Sequence, residues 1–265
     1  MDSKIVIGIG GKKHCGKDTF ASMLLYINHV GAASANYKVW FESWRESSFM
    51  YREMVTRFAD SLKDACSTMF HINRKLFDDT SYKDDKYYSF RENKFIDEKD
   101  ITLEHQRLVD NNFLNFENFA SMIANNPDAP LIKLRNLMTV YADTMKHVFG
   151  ENVFVNSTLN RINEIINAYN FCLVPDVRFI NEVVALKQTN DVWQGYIIKI
   201  IREGELSNDN HNSEVCDFTA DFTIINDSNL FKLFYKAINV YNKIVQMNNL
   251  NNKIKRDLYE LNKRT

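Results

Sequence analysis

The stretch "GIGGKKHCGKDTF", residues 8–20, decides how the rest of the chain is read. Gly11, Gly16 and Lys17 stand at the spacing G-x-x-x-x-G-K, with Asp18 where a Ser or Thr is usual and Thr19 one step later. That spacing suits a loop that cradles phosphate. Glycines let backbone N–H groups approach phosphate oxygens, and the helix that follows adds the positive end of its dipole. A lysine in the position of Lys17 reaches the β- and γ-phosphates of a nucleotide. The expected ATP contacts are therefore Gly11, Lys12, Lys13, His14, Cys15, Gly16, Lys17, Asp18 and Thr19. The competing reading is a Gly-rich strand-to-helix turn that binds nothing.

The flanks supply the context such a loop requires. "KIVIGIG" (4–10) is a short β-branched run bounded by glycines, which fits a fully buried parallel strand. After the loop, Phe20, Met23, Leu24 and Ile27 fall at i, i+3, i+4 and i+7, the apolar stripe of a helix. Asp18 is the departure from the usual motif. A carboxylate beside a polyphosphate is repelled unless it turns outward or acts on Mg²⁺ through water, while Thr19 still supplies a hydroxyl at the helix start. The form G-K-x-T is shared with small-molecule kinases such as adenylate kinases, where Gly stands at the position of Asp18. The loop thus leans away from a switch GTPase, which coordinates metal through the residue after the lysine.

Further along, "VTRF" (55–58) reads as a second strand and "SLKDACSTMF" (61–70) as the helix after it. Residues 71 to about 130 mix charge and aromatics without a clear period and are expected to be an insertion over the carboxyl edge of the sheet; a solvated surface excursion is the alternative. "PLIKLRNLMTVYADTMKHVFG" (130–150) is expected to be helical and to stop at Gly150, and a second helix follows with Val155, Leu159, Ile162 and Ile166 along one face. "FCLVPD" (171–176) reads as a buried strand, "FINEVVALKQ" as a helix, and "GYIIKIIRE" and "DFTIIND" as strands. Alternation of this kind implies βαβ units and an α/β fold built on a doubly wound parallel sheet flanked by helices. From about 241 to 265 the chain is a polar helical tail, in which Ile254, Leu258 and Leu261 form a thin stripe suited to packing or a homodimer surface.

Composition bounds the rest. A length of 265 residues suits one domain with an insertion, and 45% hydrophobic residues can fill its core. A formal net charge of −1 gives no reason to expect nucleic acid as a partner. Cys15, Cys66, Cys172 and Cys216 form no CxxC pair or zinc spacing and read as reduced thiols of a cytoplasmic protein. No apolar run approaches the roughly 18 residues of a membrane span, so no membrane association is expected.

The remaining candidates lie at strand ends and on helices. In α/β sheets of this type, ligands sit beyond the carboxyl ends of the strands. Asp176 in "VPDVRFINE" is placed to hold Mg²⁺ as a Walker-B-type acid, together with Thr19, and Arg178 to reach a phosphoryl group in transfer. A helix N-cap Asp beside a surface Arg is the plainer alternative. Arg135 is a candidate clamp for an acceptor phosphate, because a guanidinium forks onto phosphate oxygens; alone it would read as a surface helix residue. Lys63 in "ADSLKDA" is a further candidate. His211 and Glu214 in "HNSE" are compatible with a capping turn or a nucleotide-edge loop, and no metal is expected there.

Taken in order, these segments resemble the bacteriophage deoxynucleoside monophosphate kinases over nearly the whole chain. "GKKHCGKDTFA" resembles that family's phosphate loop, which also carries G-K-D-T. "FADSLKDA" resembles its Lys-bearing helix start, "RKLFDD" the beginning of its insertion, and "LRNLM" its Arg-containing helix. "VPDVRFINE" matches a P-D-x-R-x-x-x-E pattern, while "IIREGE", "HNSE" and "IINDSNLFKLF" resemble the closing strand, loop and terminal helix. The resemblance implies transfer of the γ-phosphate of ATP, with Mg²⁺, to a deoxynucleoside 5′-monophosphate in the cytosol of an infected cell. It implies a nucleoside monophosphate kinase fold of the P-loop type, with a mostly helical acceptor-binding insertion and mobile lid elements. The functional positions it implies are Gly11, Gly16, Lys17, Thr19, Lys63, Arg135, Asp176 and Arg178. After the arginine of its helix the family has a Gln and a Gly-Thr-Asp; this chain has Thr139 and "ADT" (142–144), so its base selectivity is expected to differ if Thr139 approaches the acceptor base. Other P-loop kinases, acting on dephospho-coenzyme A or phosphomevalonate, and a P-loop protein that binds ATP without transferring phosphate are the alternatives.

Overall fold

In a computed structural model, the structure describes residues 4–45, 52–90, 92–102, 131–188, 192–202 and 217–262. The chain divides into two compact units: Met1–Phe58 with Ser157–Thr265, and Ala59–Asn156.

The first unit is α/β. Its sheet contains β1 (Lys4–Gly10), β5 (Phe171–Val177), β6 (Trp193–Ile201) and β7 (Phe222–Ile225), all parallel, in the order β5-β1-β6-β7. The central strand β1 is buried along its last five residues, as a strand with a neighbour on each edge and helices on its faces must be. Successive side chains of a strand point to opposite faces. Ile7 and Ile9 accordingly join a core with Phe20, Met23, Leu24 and Ile27 of α1 (Lys17–Val30) and with Leu233, Phe234, Ala237, Val240 and Ile244 of the last helix. Gly8, facing the other way, abuts Leu186 in the helix Ile180–Lys187. The expected stripe of α1 is thus the face that meets the sheet.

That last helix is continuous from Leu230 to Asn262. Its apolar buried positions end at Ile244, and the polar stretch from 241 onward prolongs the helix, burying Asn248 and Asn252 while Met247, Leu250 and Ile254 are exposed. Among the described residues, no helix is long and apolar enough to cross a membrane. The expected strand at 55–58 shrinks to a single parallel bridge, Val55 to Leu173, with the N–H of Thr56 donating to the carbonyl of Leu173 at 3.0 Å. Pairing goes no further because α3 (Phe58–Phe70) begins two residues later. The helix Tyr37–Arg45 is α2.

The second unit has its own core. A three-stranded antiparallel sheet runs in the order β3-β2-β4, formed by β2 (Lys86–Ser89), β3 (Lys94–Asp97) and β4 (Leu131–Lys133). This corrects the expectation that residues 130–150 are helical throughout: α5 begins only at Leu134 and ends at Phe149 before Gly150. Leu131 and Ile132 are both buried, on opposite faces of the strand. Leu131 lies with Tyr87 and Ile96, whereas Ile132 joins Cys66, Phe77, Tyr88 and Leu137. Two adjacent buried apolar residues suit a strand with cores on both sides better than a one-sided helix. Between α3 and the sheet lie a 3₁₀ turn (Arg74–Phe77) and the short α4 (Thr80–Asp84), opened by Asn73 and Asp79, whose side chains accept from Lys75 N and Ser81 N. The stretch 103–130, most of the later part of the expected insertion, is outside the described residues. Helix α6 (Val153–Tyr169), which from Ser157 on belongs to the first unit, buries Val155, Ile162 and Ile166 as its periodicity predicts, with Leu159 only partly covered and Thr158 buried in addition. The helix Ile180–Lys187 is α7 and Leu230–Asn262 is α8.

Candidate functional site

The loop between β1 and α1 owes its shape to three positive-φ residues, the first of them Gly11 at 154°. Gly16 has φ 94° and His14 φ 64°. A glycine adopts such a conformation at little cost, and a histidine only rarely. Gly16 turns the chain straight into α1. The first bond of that helix runs from Phe20 N to Gly16 O, so the N–H groups of Lys17, Asp18 and Thr19 have no partner within it. The Cys15 N–H closes the loop on Lys12 O at 3.3 Å, and the Lys17 ammonium folds back onto the same carbonyl, also at 3.3 Å. Lys12, Lys13 and His14 are exposed on the loop, while the Cys15 thiol is buried beneath it. Unpaired amides and a lysine at a helix start make this end of α1 able to bind an anion.

Two residues far along the chain hold the loop, and neither was singled out from the sequence. The Asn226 amide donates to Cys15 O at 2.9 Å, and Arg202 donates to His14 O at 3.4 Å. The Asn226 N–H itself donates to Ile201 O, which fixes the residue just beyond the end of β7 against β6. Both residues fall in segments carrying the family resemblance, "IIREGE" and "IIND", and that was the available signal.

Asp18 faces outward. Its side chain is 68% exposed and pairs with Arg57 at 3.1 Å. Thr19 lies in the first turn of α1, and its carbonyl accepts from the Ser22 hydroxyl at 2.7 Å.

Asp176 and Arg178 stand at the carboxyl end of β5. One carboxylate oxygen of Asp176 accepts from Phe58 N at 3.0 Å, so the cap it makes is on the chain entering α3 rather than on the helix that follows Asp176. The turn after β5 is held by Glu182. Its Oε2 accepts from both Arg178 N, at 2.7 Å, and Phe179 N, at 3.0 Å. This carboxyl is 7% exposed, and burial pushes its pKa up to about 7, aided by the charge of Asp176 and opposed by those two N–H donors. Glu182 closes the P-D-x-R-x-x-x-E pattern, yet the sequence alone assigned it no role.

The acceptor-side candidates belong to the second unit. Arg135 is engaged by Asp84, with Nε to Oδ1 at 2.6 Å and Nη2 to Oδ2 at 2.9 Å. Thr139, one turn later, donates its hydroxyl to Arg135 O at 3.1 Å, which occupies its proton within the helix. Lys63 pairs with Asp78 at 2.7 Å, and Arg74 reaches Asp60, Asp64 and Asp78 together. Arg135, Thr139 and Lys63 are thus all brought into one unit. His211 and Glu214 lie outside the described residues.

Among the described residues, no group of three His, Cys, Asp or Glu side chains could hold a metal ion. Cys15, Cys66 and Cys172 are buried thiols outside any disulfide, and burial raises those of Cys66 and Cys172 to about 12. No protein-family model matches the chain, and no curated protein matches it significantly.

Proposed function

We propose that this chain is a P-loop kinase of the deoxynucleoside monophosphate kinase type, transferring the γ-phosphate of ATP to a deoxynucleoside 5′-monophosphate. The observation that carries the reading is the loop at Gly11–Lys17. It passes from a buried parallel strand through a left-handed Gly16 into a helix, and it sets the Lys17 ammonium beside that helix start. An anion with several oxygens matches the unpaired amides and the lysine together, and a nucleotide polyphosphate is the anion that the motif spacing predicts.

Phosphoryl transfer asks little covalent work of a protein. Positioning and charge neutralisation supply most of the acceleration. Lys17 and the loop amides bind and orient the donor, and Arg178 neutralises charge on the group in transfer. The acceptor is already a phosphate dianion, so no general base is required. Mg²⁺, held by Asp176 and Thr19, would neutralise the donor phosphates. The donor set fits that ion, since a carboxylate and a hydroxyl are hard oxygen ligands and Mg²⁺ commonly takes the rest of its shell from water and substrate phosphates. The bond from Phe58 N orients the Asp176 carboxylate through one oxygen. Acceptor roles for Lys63, Arg135 and Thr139 rest on the resemblance.

Purified protein given ATP and a panel of deoxy- and ribonucleoside monophosphates tests the reading. Formation of a deoxynucleoside diphosphate with matching ADP is expected, with more than one base accepted. Slow ATP hydrolysis without any phosphorylated acceptor would instead mark an ATP-binding protein of another kind.

A further inference from the structure

The pair of Asp18 with Arg57 brings a guanidinium to the start of α1. The backbone around Arg57 is fixed to the edge of the parallel sheet: Thr56 N donates to Leu173 O, and Phe58 N to Asp176 Oδ1, each at 3.0 Å. Thr56 and Phe58 are both buried. Arg57, between these two inward-facing residues, turns its side chain outward, where it is 38% exposed. Two anchored neighbours thus aim the guanidinium away from the core, beside the carboxyl end of β5. Its Nη2 donates there to Asp18 Oδ1, in the first turn of α1, at 3.1 Å.

The same turn carries the amides of Lys17, Asp18 and Thr19, which have no partner within the helix. The Asp18 carboxylate suits the helix dipole but repels a polyphosphate bound at those amides. Arg57 offsets that repulsion. Both members of the pair are exposed, so water screens the attraction and the bond between them is weak. A terminal phosphate is the stronger partner. It carries more charge than a carboxylate, and a guanidinium fork engages two of its oxygens at once. Position selects the phosphate that Arg57 meets. Lys17 and the amides belong to the loop itself, whereas Arg57 comes from the strand end that bears Asp176 and Arg178. In the kinase reading, the outermost phosphate of the donor stands at that end.

We propose that Arg57 leaves Asp18 to bind the terminal phosphate of a nucleoside triphosphate, and so lets the site tell a triphosphate from a diphosphate. The proposal rests on the reading of the loop as a nucleotide site and adds to it a residue for the third phosphate. Asp18 holds the guanidinium beside the loop until the nucleotide displaces it. A surface ion pair with no other task is the competing account. The two accounts differ in symmetry: an ion pair is lost equally from either side, whereas a guanidinium shared between Asp18 and phosphate is not.

Calorimetric titration of the full chain with ADP and with the β,γ-imido analogue of ATP, both with Mg²⁺, compares the parent with Arg57→Ala, Arg57→Lys, Asp18→Ser and the Asp18→Ser, Arg57→Ala double variant. Arg57→Ala should weaken the triphosphate about tenfold or more, the scale of lost hydrogen bonds to a charged group, and ADP by less than about threefold. Arg57→Lys keeps the charge without the fork and should fall between parent and Arg57→Ala. Asp18→Ser should bind the triphosphate at least as tightly as the parent, since a competitor is gone, and the double variant should match Arg57→Ala. Parent-like triphosphate binding by Arg57→Ala, equal weakening of triphosphate and diphosphate, or an Asp18→Ser variant as weak as Arg57→Ala would each overturn the proposal. Transfer to a deoxynucleoside monophosphate, assayed on the parent, is a separate readout. Triphosphate binding that depends on Arg57 without any transfer retains the proposal and removes the kinase reading. Transfer with triphosphate binding indifferent to Arg57 does the reverse, and a parent that binds no triphosphate removes both.

Discussion

The side-chain amide of Asn226 donates to the carbonyl of Cys15 at 2.9 Å, joining residues 211 positions apart. The bond ties the Gly-rich loop to the residue that follows β7, so the far edge of the parallel sheet helps set the conformation of the chain leaving its central strand. Removing it should act on the loop before it acts on the fold. Asn226→Ala is expected to cost about 1 kcal/mol of stability and to weaken ATP binding severalfold, because the loop must then be ordered by the ligand. Denaturant unfolding and titration with a fluorescent ATP analogue measure the two effects. Unchanged nucleotide affinity would show that the loop keeps its shape without the amide.

Lys17 and Asp18 are adjacent but should answer differently to substitution. Lys17→Ala removes the cation at the helix start and is expected to lower transfer by roughly 10³-fold or more with the fold intact. Asp18→Ser breaks only an exposed pair with Arg57, of a kind worth about 1 kcal/mol or less, and should keep most of the activity. Steady-state rates for both variants decide the matter. Near-parent turnover by Lys17→Ala, or collapse in Asp18→Ser, contradicts the roles given to the two side chains.

Asp176→Asn separates the structural use of that side chain from its proposed metal role. The amide oxygen of Asn can still accept from Phe58 N, so unfolding free energy should shift by no more than about 1 kcal/mol. The Mg²⁺ concentration needed for half-maximal activity should rise, since the carboxylate charge is gone. Superimposable metal titrations for the two proteins would remove Asp176 from the metal site.

The Glu182 carboxyl gives the fold a pH dependence with a definite sign. Its pKa is raised from 4.5 to about 7, chiefly by burial. A raised carboxyl pKa means that the fold favours the protonated form. The corresponding stability is complete below 4.5 and is lost as pH rises through about 7. Glu182→Gln stays neutral at every pH and can still accept from the turn. Its stability relative to the parent should therefore increase between pH 5 and 8, by roughly 3 kcal/mol at most. Parallel stability-versus-pH curves for parent and variant would place the proton elsewhere.

The packing of α7 on β6 allows no side chain at position 195. A Cβ built on Gly195 would lie 1.9 Å from Leu186 O, a backbone atom that cannot step aside. Gly195→Ala should force the helix away from the strand and destabilise the chain by about 3 kcal/mol or more. A loss under about 0.5 kcal/mol by chemical denaturation would mean that helix and strand are farther apart than the structure places them.

The sequence by itself determined what depends on near neighbours. The apolar run at 4–10 became β1, and the spacing of Phe20, Met23, Leu24 and Ile27 became the buried face of α1. The strands at 171–177, 193–201 and 222–225 and the glycine that starts α1 were legible for the same reason, since strand runs, helical periods and turn residues act within a few positions. Tertiary structure alone decided what depends on partners far away. Residues 131–133 became a strand because β2, more than 40 residues earlier, offered Tyr87 and Tyr88 as partners, whereas 55–58 found a single bridge before α3 began. The same holds for the candidate site. Lys17, Asp18 and Thr19 announce themselves in one motif, but the Asn226 bond to Cys15, the Asp176 bond to Phe58 and the Arg135 pair with Asp84 join positions that no local period relates. Such contacts follow from which backbone groups and charges folding buries together, and that choice is made by the whole chain.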